Sequence, residues 1–356
     1  MAVPSRITFH PIEFLTMSKV IDQGPVVASC PSTIETSIPF LSRDKLYQHT
    51  KPYGADFPTD GIEGAEIANH IFETRPVTVY DVRSLDEPLD LETNGACFIK
   101  GKTSLARHEA SITTTPAISK YADEVMAILR SKFPHYVELR FMDFQVRKRS
   151  LAFPDGHGQR VEFAQPATMP HTDFSVKGGY LRMGDVFPNQ LDNYKERHFD
   201  LLKDVVWRVL AGPNDDWPLA VCDYTSVNIE HDITTNDALH INRVGENWLL
   251  YPNKTHRWFY LSGMEEDDLI VFRNTDSKGK LSRKLTSIDL MVSGTILTDK
   301  SRQAVFTPPS IIQSLLALLA IVSSSDWWPS ETDFPPLVAY FGLGLAPQCS
   351  GGAWLD

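Results

Sequence analysis

The feature that most constrains this chain is the succession of short apolar runs between Asp204 and Asn274: DVVWRVLAG, DWPLAVCDYTSV, ENWLLYP, THRWFYL and DDLIVFRN, each separated from the next by turn residues. Runs of this length at this spacing read as antiparallel strands of a barrel or sandwich, not as alternating strand and helix units of a parallel sheet. Upstream, RPVTVYDV (Arg75 to Val82) and ACFIK (Ala96 to Lys100) predict two further short strands flanking a loop. Between Thr113 and Lys132 the residues Ile118, Tyr121, Val125, Met126, Ile128 and Leu129 recur at helical spacing, and YVELRFMDFQVRKRS then alternates like a strand. A second helical stretch is expected near Asn189 to Phe199. The fold class is therefore mainly β with flanking helices, and no dinucleotide fingerprint, phosphate loop or internal repeat is visible.

The 356 residues suffice for one large domain or two ordinary ones. Residues 1–70, rich in Pro, Ser, Thr and Asp, read as a partly extended arm, 71–302 as the folded body, and 303–356 as an atypical tail. With 34 Lys and Arg against 45 Asp and Glu, the net charge of -11 disfavours nucleic acid and anionic membranes as partners. The four cysteines, Cys30, Cys97, Cys222 and Cys349, are far apart and form no CxxC pair, which fits reduced thiols in the cytoplasm. The N-terminal residues show no continuous apolar stretch of a secretory signal. After Arg302 the chain holds no further Lys or Arg, and SIIQSLLALLAIV (Ser310 to Val322) is too short to span a bilayer. A buried helix is the first expectation for that run, with stable membrane insertion not expected.

The strongest chemical signal is His171-Thr172-Asp173 in QPATMPHTDFS. On a strand, residues two apart share a face, so one imidazole and one carboxylate converge on a point. With a second histidine from a distant strand they would make a 2-His-1-carboxylate triad, which leaves three adjacent positions on Fe(II) for a keto acid and dioxygen. The bland alternative is a surface histidine beside an aspartate at a strand end.

From about Val77 to Phe272 the chain also carries VYDVRSLDEPLDLETNGACFIKGKTS, FMDFQVRKR, QPATMPHTDFS, VWRVLAGPNDDWPLAVCDYTSV and NKTHRWFYLSGMEEDDLIVFRNTDS in that order. Together these resemble the asaB-type hydroxylase/desaturase family, which includes a fungal gibberellin desaturase and a bacterial cephalosporin methoxylation component. The resemblance implies a double-stranded β-helix of the jelly-roll or cupin kind. It also implies an oxidoreductase, a dioxygenase that uses Fe(II), 2-oxoglutarate and O2 to hydroxylate or desaturate a small secondary-metabolite intermediate. It implies a Pro-His turn after VFRNTDS and then an arginine on a final strand, as third ligand and co-substrate clamp. Here the corresponding text is AVFTPPSIIQ, with Pro309 where that histidine is expected, and no arginine follows Arg302.

Downstream of Asp173 the remaining histidines are His198, His231, His240 and His256, of which His256 is the provisional third metal ligand. Arg147, Arg149 and Arg257 are the candidates for binding an anionic co-substrate, since Arg147 and Arg149 share a strand face and Arg257 follows His256. Arg208 and Asp223 read as structural, Cys222 as a core thiol, and Trp207, Trp217, Trp248 and Trp258 as interior filling. The acidic run Glu265 to Asp268 reads as a solvated turn. Other readings stay open: a catalytically inactive relative that binds a small molecule or another pathway enzyme, and a cupin-like metalloenzyme that does not use 2-oxoglutarate. A tail substituted by a retained intron, a misplaced splice site or a frameshift is the second reading of 303–356.

Overall fold

The computed structural model describes residues 33–153, 161–190, 198–202, 206–276, 294–295 and 314–323. Its strands in chain order are β1 (Thr33–Leu41), β2 (Tyr53–Ala55), β3 (Phe72–Asp81), β4 (Ala96–Lys100), β5 (Tyr136–Arg147), β6 (His198–Leu202), β7 (Val206–Val209) and β8 (Leu219–Cys222). These are followed by β9 (Ile233–His240), β10 (Arg243–Leu250), β11 (Trp258–Tyr260), β12 (Asp268–Phe272), β13 (Thr275–Asp276), β14 (Gly294–Thr295) and β15 (Ser314–Ser323). Helices α1 (Leu91–Asn94), α2 (Pro116–Lys132), α3 (Val176–Val186) and α4 (Ile229–Asp232) lie between them.

Two larger sheets carry the molecule. One runs β1-β3-β11-β8-β14; the other runs β13-β6-β15-β7-β12-β4, with β5 beside β15. A third, smaller sheet is the β9–β10 hairpin with β2.

The period of two along each strand explains why these runs are apolar throughout. On β12, Ile270 and Phe272 join Trp207, Leu219, Val221 and Phe259 in one cluster, whereas Leu269 and Val271 join α2 in another. On the facing sheet, Val221 and Phe259 point into the first of these clusters, while Cys222, Trp258 and Tyr260 point into a third with Trp248 and Leu250 of β10. The central strands are thus buried on both faces, which removes the polar half of the alternation. Helix α2 starts where Thr115 accepts from the Ile118 amide and Pro116 fills the first turn. It buries Ile118, Tyr121, Ala122, Val125 and Leu129, one face of a 3.6-residue period.

The helix expected near Asn189–Phe199 falls on residues 191–197, which lie outside the described part; His198 opens strand β6. Helix α3 (Val176–Val186) is not expected from the sequence, since it carries the paired Gly178 and Gly179; Gly178 is required there because a Cβ would sit 1.8 Å from the Glu246 carbonyl oxygen.

One expectation is corrected: Ser310 to Val322, expected as a buried helix that leaves a sheet edge unpaired. Ser314–Ser323 is instead strand β15, in register with β5 along one side and with β6 and β7 along the other. A continuous apolar run does not by its pattern distinguish a buried strand from a buried helix. Among the described residues no helix is long and apolar enough to cross a membrane. The tail beyond Ser323 and the arm before Thr33 lie outside the described residues.

Candidate metal centre

The HTD segment is held against the end of β10. The Leu250 amide donates to the Pro170 carbonyl at 3.3 Å, Thr172 N–H donates to Trp248 at 2.9 Å, and Ser175 N–H donates to Glu246 at 2.9 Å. His171 makes a single bridge to Leu249 instead of entering a regular strand. Thr172 is fully buried, and its hydroxyl accepts from the Trp248 amide and donates to the Phe174 carbonyl. Pinning Thr172 inward leaves His171 and Asp173 on the opposite side of the backbone.

Ser175 closes the segment. Its hydroxyl accepts from the Gly178 amide, capping α3, and donates to Glu246 at 2.5 Å. Burial pushes the Glu246 carboxyl up, but hydrogen bonds from Lys51 and Ser175 and the charges of Lys51 and Lys177 hold it below the ordinary carboxylate range. Lys51 also pairs with Asp237. This ion cluster fixes the start of α3 to β9 and β10.

His171 Nε2 and Asp173 Oδ1 are 3.7 Å apart, both side chains mostly buried. His171 Nδ1 lies 2.8 Å from the Met169 carbonyl oxygen, an acceptor only, so Nδ1 carries a proton and Nε2 is the ring nitrogen turned toward Asp173. Two donors each about 2.1 Å from one ion are at most about 4.2 Å apart, so the pair fits a divalent metal in donor chemistry and in span. Asn274, in the link between β12 and β13, meets the same carboxylate: Asp173 N–H donates to Asn274 Oδ1 at 3.0 Å, and Asn274 Nδ2 donates to Asp173 Oδ2 at 3.2 Å.

His256 is not joined to this pair. Its Nε2 donates to Asp232 Oδ2 at 3.2 Å, with both side chains buried, and its ring packs near Phe40 and Trp258. It precedes β11 instead of lying in it, because the Asn253 carbonyl accepts from its amide and turns the chain. Burial pushes its imidazole below the ordinary value, opposed by Asp232. Among the described residues no three His, Cys, Asp or Glu side chains are grouped to hold a metal ion.

The three candidate arginines are separate from one another in their partners. Arg149 donates through Nε and Nη2 to Asp216 Oδ2 at 3.1 and 3.0 Å, both residues buried. Arg257, 55% exposed, pairs with Asp223 and donates to Thr225. Arg147 donates to the neutral Gln165 carbonyl at 2.6 Å.

Arg208 is buried, as expected of a structural residue, and donates to the Glu266 and Leu105 carbonyls, while Asp223 takes Arg257 and Asn94. Cys222 is a core thiol, pushed up to about 12 by burial. Trp207, Trp217, Trp248 and Trp258 are all buried. The acidic run is only partly a solvated turn, since Asp268 is buried, accepts from the Glu265 amide and pairs with Lys100 at 2.8 Å.

The sequence profile of a family described as oxidoreductase/YMDC permease-like domain matches residues 40–289. Hydroxylase/desaturase CTB9 of Cercospora beticola is 24% identical over 286 residues, which cover 74% of this chain and 86% of the relative. Fe(II)/2-oxoglutarate-dependent dioxygenase nvfI of Aspergillus novofumigatus is 24% identical over 230 residues, 60% of this chain and 75% of the relative. The solved structure of the iron and alpha-ketoglutarate-dependent endoperoxidase NvfI matches with a TM-score of 0.65 at 19% identity, over 83% of this chain and 99% of that one. That likeness shows the fold, the double-stranded β-helix of the jelly-roll kind.

Proposed function

From the premise that this chain belongs to the oxidoreductase/YMDC permease-like domain family and to the asaB-type Fe(II)/2-oxoglutarate oxygenases, we propose that it is a dioxygenase hydroxylating or desaturating a small secondary-metabolite intermediate. The observation that carries the reading is the His171–Asp173 pair, with the imidazole proton tied to Met169. His171 binds through Nε2, and Asp173 supplies the negative charge that holds a divalent cation. Bound there with 2-oxoglutarate and O2, iron supplies an oxidant able to take hydrogen from an unactivated carbon.

The protein's own task is placement. Thr172 and Ser175 fix the two ligands to β10, so the metal does not have to order them on binding. Arg147 is the arginine proposed to orient the 2-oxoglutarate carboxylate, because its contact is a neutral carbonyl, whereas Asp216 and Asp223 already neutralise Arg149 and Arg257. His256 is assigned a structural role, since serving iron would require it to leave Asp232. The buried Cys97 and Cys222 are free thiols, which supports a cytoplasmic protein.

The test is aerobic incubation of the full chain with added Fe(II) and 2-oxoglutarate, following succinate. Formation above the rate of His171→Ala and Asp173→Ala supports the reading, and equal rates would remove it. One observation favours a second reading, a non-catalytic relative that binds a small molecule or a pathway enzyme: among the described residues the pair gains no third ligand.

A further inference from the structure

We propose that Asn274 is the positioning residue of the metal centre, turning the Asp173 carboxylate so that a single oxygen, Oδ1, is presented to the metal. The inference rests on His171 and Asp173 being the metal pair and goes beyond it. An aspartate can bind a cation through one oxygen or both, and rotation about its last side-chain bond decides which. The choice matters for this chemistry. A two-oxygen aspartate would occupy one of the three positions that a keto acid and dioxygen need.

The geometry selects one oxygen. Asn274 Nδ2 takes Asp173 Oδ2 at 3.2 Å, while Oδ1 faces His171 Nε2 at 3.7 Å. The orientation of the amide is decided by chemistry. Asp173 N–H, at 3.0 Å, requires an acceptor, so the amide oxygen lies there and the NH2 group necessarily meets the carboxylate. A reversed amide would set donor against donor and acceptor against acceptor.

The amide is also rigidly mounted. Asn274 is 1% exposed. The preceding Arg273 amide donates to the Gly95 carbonyl at 3.0 Å, and the Arg273 guanidinium reaches Tyr136 at 3.2 Å and Glu92 at 2.7 Å. The following Thr275 pairs with Leu201 of β6. A group fixed on both sides transmits its orientation to the ligand it touches, and loss of such support typically weakens metal binding about ten- to a hundredfold.

The test is Mn(II) titration of the full chain without co-substrate, read by the electron paramagnetic resonance of free Mn(II), alongside the apoprotein's thermal melt. Asn274→Ala removes the amide, and Asn274→Asp keeps its shape and the acceptor for Asp173 N–H but sets an acceptor against Oδ2. Both are expected to bind Mn(II) about ten- to a hundredfold more weakly while still melting cooperatively. A folded Asn274→Asp protein that binds Mn(II) as tightly as the parent would overturn the proposal. Should neither variant fold, the parent's carboxylate infrared bands on Mn(II) binding decide: a wide splitting supports one-oxygen ligation, and a narrow one overturns it. Mn(II) binding that Asp173→Ala leaves intact would overturn the metal pair itself, an outcome distinct from failure of the Asn274 role alone.

Discussion

The His256 imidazole donates from Nε2 to the Asp232 carboxylate at 3.2 Å, in a site where each side chain is 1% exposed. Asp232 also accepts from both the Asn228 amide and the Asn253 side chain, so it ties α4, the turn before β11 and the imidazole together. The histidine best placed by sequence for iron is thereby a clasp between α4 and the turn that leads into β11.

This clasp gives stability a pH dependence. Burial holds His256 below its ordinary value of 6.5, with Asp232 opposing, so on acidification the unfolded chain takes up the proton first. The stability it contributes is fully present above about 6.5, falls as pH drops through that value and levels off below the folded value. Chemical denaturation between pH 7.5 and about 5 is expected to show a smaller loss in His256→Gln, which keeps a donor for Asp232, than in the parent. An identical loss would contradict the clasp.

Arg149 and Asp216 form a buried pair, and removing one partner leaves an uncompensated charge. Arg149→Met or Asp216→Ala is expected to cost about 3–5 kcal/mol in urea unfolding, and the double variant less than the sum of the two. Additive costs would show that the two residues act independently.

Gly178→Ala places a methyl group 1.8 Å from the Glu246 carbonyl oxygen, which is backbone and has little room to yield. The expected loss is about 1–3 kcal/mol or more, with α3 pushed from β10 and Mn(II) binding at the HTD segment weakened. An unchanged unfolding midpoint would mean that α3 does not approach β10 this closely.

Leu319 of β15 is in register with Phe141 on one side and Leu202 on the other. Leu319→Pro removes a ladder donor inside the sheet and is expected to cost at least about 1 kcal/mol and to lower the melting temperature. An unchanged melt would contradict the placement of this strand.

Much of the fold was legible because burial on one face leaves a period. Helix α2 shows its stripe from Ile118 to Leu129, and β12 announces itself as a both-sided run, DLIVF. Helix α3 was not legible because Gly178 and Gly179 serve a close backbone approach instead of helix propensity. Strand β15 was misread as a helix because an apolar run carries no period of its own. At the site, His171 and Asp173 stood out through their two-residue spacing. Asn274 did not, since it meets Asp173 across 101 positions and only the pairing of β12 with β4 and of β13 with β6 brings it there. The burial of His256 against Asp232 was equally hidden, because a histidine before an aromatic strand looks the same whether it faces a metal or a carboxylate.

The central claim is that His171 and Asp173 hold iron for a 2-oxoglutarate reaction. Its most direct test is an anaerobic titration of the full chain with Fe(II) and 2-oxoglutarate, watching for the visible charge-transfer band that forms when the keto acid chelates the bound iron. The account predicts a band that saturates in the parent, is lost in His171→Ala and Asp173→Ala, and persists in folded His256→Gln. No band in folded parent protein, or a band that survives loss of His171 and Asp173, would contradict it.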